Sequence, residues 1–219
     1  VLPPGFLGPG TPAAVTRIIG NKNHKSEELL ALELGYRVRP HKRLSLDFAG
    51  FLNFYERLST LEPGRAPFLE SDPAPAHLVV PLDLGNNNSG EAYGGEAVAT
   101  WQAQDWWRLS ATYSFLEMQI HSRSNDPGAE KIEGENPRNQ FMLRSSMDLP
   151  RNVDLDVTLR YVDSLARFNV PAYFTSDVRV GWRPTKALEL SVVGQNLLDN
   201  QHPEFAPLIP VQPTEVQRS

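Results

Sequence analysis

The side chains of this 219-residue chain best equipped for chemistry are its acids, amides and histidines, and their spacing argues against a catalytic or metal centre. His24, His41, His77, His121 and His202 never fall at metal-ligand spacing, and the absence of cysteine removes thiolate sites and disulfides together. Glu130, Glu133 and Glu135 carry the carboxylates that glycoside hydrolysis uses, but an acidic run inside a polar loop reads as solvated charge. Asp83, Asn86, Asn87, Asn88 and Glu91 cluster oxygen ligands suited to a hard cation such as calcium, as does Asp126 with Glu130. Neither set meets the spacing of a calcium loop. With no phosphate-cradling glycine loop and no nucleophile elbow, the sequence assigns no catalytic residue, no metal site and no cofactor, and it reads as a non-enzyme.

Any site must therefore be a binding surface, and the elements that would carry one are strands. From Ser26 onward, Leu30, Leu32, Leu34, Tyr36 and Val38 alternate with Glu33, Gly35 and Arg37, the period of a strand with one apolar face. Leu44 to Tyr55, Trp106 to Glu117, Gln140 to Leu149, Asn152 to Val162, Ala172 to Arg183 and Ala187 to Leu198 repeat the pattern. Leu78 to Trp101 reads as one long strand kinked at Gly85 to Gly90, although that interruption also fits a turn between two strands. About eight strands result, with a ninth starting at Glu215. Residues 1–25 read as loop, as do 58–77, 118–137 and 199–214, because proline, glycine and asparagine recur there too often for regular structure.

The connections alternate between short and long. Short turns are expected at 39–43, 102–105, 150–151 and 183–186, and all four tryptophans (Trp101, Trp106, Trp107, Trp182) lie beside them. Indole prefers the headgroup boundary of a bilayer, so rings gathered at one end of successive hairpins suit a membrane barrel better than a soluble sandwich. The longest apolar runs, such as Leu78 to Leu82, are far too short for a spanning helix, and a negative mean hydropathy is what alternating lipid-facing and lumen-facing residues produce. The net charge of −5 removes the attraction that nucleic-acid binding relies on. The chain opens at Val1 without a leader and is read as a piece of a longer precursor.

Charges of both signs occupy mid-strand positions on the face opposite the apolar one. If the strands around Val153 and Ala172 pair antiparallel, Arg160 falls near Asp177, and Asp154 and Asp156 near Arg179 and Arg183. A ladder of opposite charges facing a lumen is expected, while charge alone equally fits a solvated sheet face. The fold expected is all-β: an antiparallel up-and-down transmembrane β-barrel segment.

Several stretches resemble the C-terminal part of the barrel of TonB-dependent outer-membrane receptors. They are Ser26-Glu27 with Glu33 to Arg37, Phe51 with Tyr55 and Leu58, Gly94-Gly95-Glu96 with Trp101, and above all Asp177 to Pro184, Leu188 to Ser191, Gly194 to Asp199, His202, Glu204 and Phe205. The resemblance implies about 22 strands in the complete barrel. Residues 1–25 would be an extracellular loop segment, and 26–219 the C-terminal portion of the barrel with its last strand missing. It implies a receptor of the outer membrane of a Gram-negative bacterium that binds and imports a scarce ligand, a ferric siderophore or other iron complex. Its partners would be a plug domain and the rest of the barrel in the parent chain, the TonB energy-transducing protein, outer-membrane lipid and a small-molecule ligand, with no nucleic acid. Ligand contacts would lie on the extracellular loops, which points to Arg65, Phe68, His121, Arg123 and Phe205. A passive porin and a soluble carbohydrate-binding β-sandwich are the alternatives.

Overall fold

The computed structural model describes residues 2–5, 8–123, 130–198, 201–204 and 215–217. Twelve strands are described: β1 (Ala14–Ile19), β2 (Glu28–His41), β3 (Leu44–Pro63), β4 (Phe68–Glu70), β5 (His77–Gln104), β6 (Trp107–Ser122), β7 (Asn139–Leu149), β8 (Val153–Val162), β9 (Tyr173–Thr185), β10 (Leu188–Gly194), β11 (Gln201–Pro203) and β12 (Glu215–Gln217). Helix is confined to two 3-10 turns, Glu130–Glu135 and Ala166–Phe168. Eight strands follow one path, β2-β3-β5-β6-β7-β8-β9-β10, each beside its neighbour along the chain, with β1 and β4 flanking β5 off that path. The stretch 78–101 is a single strand: β5 runs unbroken through Gly85 to Gly90.

The chain divides into two compact units, 1–30 with 54–91 and 120–130, and 31–53 with 92–119 and 131–219. In the second unit the sheet obeys the period-two rule. Register pairs Arg144 with Thr158, Ser146 with Asp156 and Asp156 with Arg179, so one face carries charge across β7, β8 and β9. The opposite face pairs Phe141 with Tyr161, Leu143 with Leu159, and Leu155 with Val180. That apolar face is open. Leu34 is 80% exposed, Val192 76% and Tyr36 63%, whereas the buried apolar side chains among the described residues are few: Ala14, Val79, Pro81, Ala92, Ile120, Leu165 and Val170. A water-soluble sheet would bury this face against a second layer.

Close approach of strands demands glycine at one point. A Cβ on Gly94 would lie 2.3 Å from the Phe115 carbonyl oxygen and 2.9 Å from the Phe51 ring, so only a residue lacking Cβ lets that ring lie on the strand. The turn 150–152 holds Arg151 and Asn152 at φ 67° and 60°, left-handed values that asparagine tolerates better than most residues.

In the first unit, β1 pairs in parallel with the start of β5, Ala14 opposite Leu78 through Ile19 opposite Asp83. β4 pairs antiparallel with the same stretch, Phe68 opposite Val79 and Glu70 opposite His77. Val79 is fully buried between them.

Five expectations are corrected. Residues 1–25 are not all loop, because Val15, Thr16, Ile18 and Ile19 give 14–19 a β-branched run that finds a distant partner in β5. The 58–77 segment is strand as far as Pro63, where a missing N–H at the strand end costs no interior ladder bond, and again at 68–70. β6 extends to Ser122 before the long connection begins. Residues 215–217 do form a strand, but one paired with 201–203 and not the next member of the main path. Three of the short turns are tighter than expected, at 42–43, 105–106 and 186–187, and the fourth is one residue longer, at 150–152.

Candidate functional site

Two polar surfaces arise from these elements. The charged face of the second unit is a self-satisfied ladder. Arg160 donates to Asp177 at 2.7 Å, Arg183 to both oxygens of Asp154 at 2.9 Å, and Arg144 to Asp156 at 3.1 Å. Arg179 lies 3.6 Å from Asp156 and donates to Glu189 at 2.9 Å, and Arg37 Nε donates to Asp47 at 2.6 Å. The expected pairs Arg160–Asp177, Asp154–Arg183 and Asp156–Arg179 are all present. Each of these cations is met across a strand, so their stretch of the wall offers water a surface of neutralised pairs.

The second surface is a cavity of about 480 Å³ in the first unit, lined by Asn21, Lys25, Arg57, Glu62, Asp83, Asn86, Asn87 and Arg123 among others. Asn86 is its organising residue. Its Nδ2 donates to the Arg57 carbonyl at 2.7 Å and the Lys25 carbonyl at 3.0 Å, while its Oδ1 accepts the Lys25 N–H at 2.7 Å. Asn21 Nδ2 donates to the Leu84 carbonyl at 3.0 Å, and Asn87 Nδ2 to the Glu62 carboxylate, which also accepts the Thr60 hydroxyl at 2.7 Å. Arg57 is paired with Glu28. Nearby, hydrogen bonds from Ser59 hold the Glu27 carboxyl below its usual range.

Asn86 and Asn87, two of the amides that resemble calcium ligands in the sequence, are thus committed to tying segments together, whereas Asn88 is buried with its Oδ1 unpartnered among the described residues. Glu91 is engaged by the His121 ring, 3.2 Å away. Among the described residues no group of three or more acids, histidines or cysteines is placed to hold a metal ion. Asp126 lies outside the described residues. Of the carboxylates weighed for glycoside hydrolysis, Glu135 pairs with Arg167 at 2.7 Å.

Of the five residues expected to contact ligand, Arg123 lines the cavity, its backbone N–H donating to the Asn87 carbonyl at 2.8 Å. His121 sits on β6 against Glu91, Phe68 opens β4 at 43% exposure, and Arg65 lies exposed in the bend between β3 and β4. Phe205 lies outside the described residues. The structure brings Arg123 together with Lys25, Arg57, Glu62 and Asp83, and not with Arg65 or Phe68. Lys25, Arg57 and Glu62 had no distinguishing signal, since each is an ordinary charge in a polar segment. The cavity holds cations, acids and amides with no nucleophile–base pair, which suits non-covalent recognition of a polar, oxygen-rich ligand.

The family described as TonB dependent receptor-like, beta-barrel matches residues 3–197. No curated protein matches the chain. Among solved structures, the FrpB iron transporter from Neisseria meningitidis (F3-3 variant) aligns with TM-score 0.67 at 13% identity over 92% of this chain and 31% of its own. The ferric yersiniabactin uptake receptor FyuA from Yersinia pestis aligns with TM-score 0.60 at 17% identity, covering 88% and 28%. The copper transporter OprC aligns with TM-score 0.61 at 13% identity, covering 90% and 31%. Identities this low show a shared fold, and the chain spans about a third of the length of these proteins.

Proposed function

Because the chain belongs to the TonB-dependent receptor-like β-barrel family, we propose that it forms the C-terminal part of the barrel of an outer-membrane active-transport receptor, importing a ferric siderophore or other iron complex. The observation that carries the reading is the division of the sheet into an exposed apolar face and an opposite face of paired charges. In a bilayer the first meets lipid and the second lines an aqueous interior. Without lipid or a second layer the same apolar face would stand against water, at a cost of about 25 cal/mol for each Å². No helix among the described residues is long and apolar enough to cross a membrane, which leaves strands as the spanning elements.

In this reading the short turns face the periplasm and the long connections face outside, where Arg123 contributes to a polar ligand site and Arg65, Phe68 and His121 add outlying contacts. A plug domain and the TonB protein engage other parts of the complete receptor. FrpB and FyuA carry iron in their names and OprC copper, so the fold alone does not fix the metal.

The test is uptake of radiolabelled iron chelates by a strain lacking the gene. Loss of uptake for one chelate class, restored by the intact gene and weakened by Arg123→Ala, is expected. Unchanged uptake of every iron chelate would refute the iron assignment while leaving the barrel in place.

A further inference from the structure

We propose that the short-turn rim of the sheet binds net-anionic phospholipid headgroups, through Lys42, Arg151 and Lys186. The inference rests on the membrane-barrel reading and adds a lipid class and the residues that select it.

Three of the four short turns project an exposed cation: Lys42 in turn 42–43, Arg151 in turn 150–152 and Lys186 in turn 186–187. None of these side chains has a hydrogen bond or ion pair among the described residues. The one acid in these turns, Asp105, is neutralised by Arg43 at 2.7 Å. The balance of the rim is therefore positive, although the chain as a whole is negative. This contrasts with the wall, where Arg144, Arg160, Arg179 and Arg183 are each matched by a carboxylate. These four strand cations are paired, whereas at the turns Arg43 is paired and Lys42, Arg151 and Lys186 are not.

Depth supplies the second argument. Trp101, Trp106 and Trp182 are 48%, 47% and 46% exposed beside these turns, and Trp106 stacks on Trp107 with centroids 6.0 Å apart. Indole rings settle at the headgroup boundary, so cations in the turns beyond them, Lys186 four residues past Trp182 among them, reach phosphate level with their stems along the apolar belt. The rim continues the lipid-facing surface without a break in chain position: Trp182 leads through β9 to Lys186, and Leu188 and Leu190 resume the apolar face on β10. A cation near an anionic surface gains about fivefold in association, equivalent to ~1 kcal/mol.

The experiment reconstitutes the complete receptor in phosphatidylcholine vesicles holding a minor fraction of spin-labelled phosphatidylglycerol or spin-labelled phosphatidylcholine, and measures the relative association of each label with the protein. Phosphatidylglycerol is expected to associate several-fold more strongly at low salt, falling towards parity in the combined Lys42→Gln, Arg151→Asn, Lys186→Gln variant and at high ionic strength. Lys131→Gln, on the long connection between β6 and β7, should leave the preference intact. Parity in the wild type, or a preference unaffected by the triple variant, overturns the rim proposal with the barrel reading untouched. Failure of the protein to insert into vesicles overturns both.

Discussion

Removing the charge of Asp156 tests whether the ladder is structural. Its carboxylate accepts the Ser146 hydroxyl at 2.7 Å and Arg144 at 3.1 Å, and Arg179 lies at 3.6 Å, an ion pair too long for a strong hydrogen bond. Asp156→Asn preserves shape and an acceptor for Ser146, so the loss is confined to two pairs. Arg144 is about half exposed and Asp156 about one-fifth, so the bond to Arg144 belongs between the exposed-pair value of ~0.5 kcal/mol and the charge-assisted value of ~1.5 kcal/mol. Arg179 retains Glu189 at 2.9 Å and adds little. The expected destabilisation is therefore ~0.5–1.5 kcal/mol, with Asp156→Ala costing about 1 kcal/mol more through the orphaned Ser146 hydroxyl. Equilibrium urea unfolding of the complete receptor in lipid vesicles, followed by tryptophan fluorescence, measures both. A double-mutant cycle should find stronger coupling of Asp156 to Arg144 than to Arg179. A neutral Asp156→Asn, or the opposite order of couplings, would refute the ladder as a stabilising network.

Gly94→Ala should cost ~1–3 kcal/mol or prevent folding, since its Cβ meets backbone at 2.3 Å, whereas Gly35→Ala, with its nearest neighbour at 3.8 Å, should be neutral; the folded fraction on cold electrophoresis separates them. Asn86→Ala removes the ties to Lys25 and Arg57, a loss of ~1.5–3 kcal/mol, and should speed amide exchange at residues 21–25 by tenfold or more without changing residues 92–119. Acid should loosen the patch that β1 and β4, both off the main strand path, form at the start of β5. Arg17 holds the Glu70 carboxyl below its usual range, so its stabilisation is complete above that range, near pH 4.3, and is lost as pH falls through the lowered folded value. Proteolysis of this patch should be flat from pH 7 to 5 and rise below about 4, and Glu70→Gln should raise it at pH 7.

The sheet was legible because its determinants are local. Leu30, Leu32, Leu34 and Tyr36 declare a face by their spacing alone, and once a turn of two or three residues closes a hairpin, register follows. Arg160–Asp177, Asp154–Arg183 and Asp156–Arg179 could be paired from sequence even across the longer connection 163–172, because antiparallel pairing of two alternating neighbours sets which polar positions face each other; the partners lie 17, 29 and 23 residues apart. The length of β5 was legible for the same reason, since alternation resumes after Gly85 to Gly90 with the same residues outward.

The cavity obeys a different rule. Arg17 reaches Glu70 over 53 residues, Lys25 reaches Asn86 over 61 and Asn21 reaches Leu84 over 63, and no periodicity links those positions. β1 was missed on the same ground, because a parallel partner 64 positions away leaves no trace in the six residues that form it. The oxygen-rich run Asp83 to Glu91 was visible but misleading: an amide that could ligate a cation serves equally to satisfy stranded backbone groups, and Asn86 does the latter for Lys25 and Arg57. It follows that the wall is robust to sequence change that keeps alternation, while the cavity hangs on single long-range ties. Recognition can then drift by replacing residues such as Lys25, Glu62 or Arg123 without disturbing the strands that carry them.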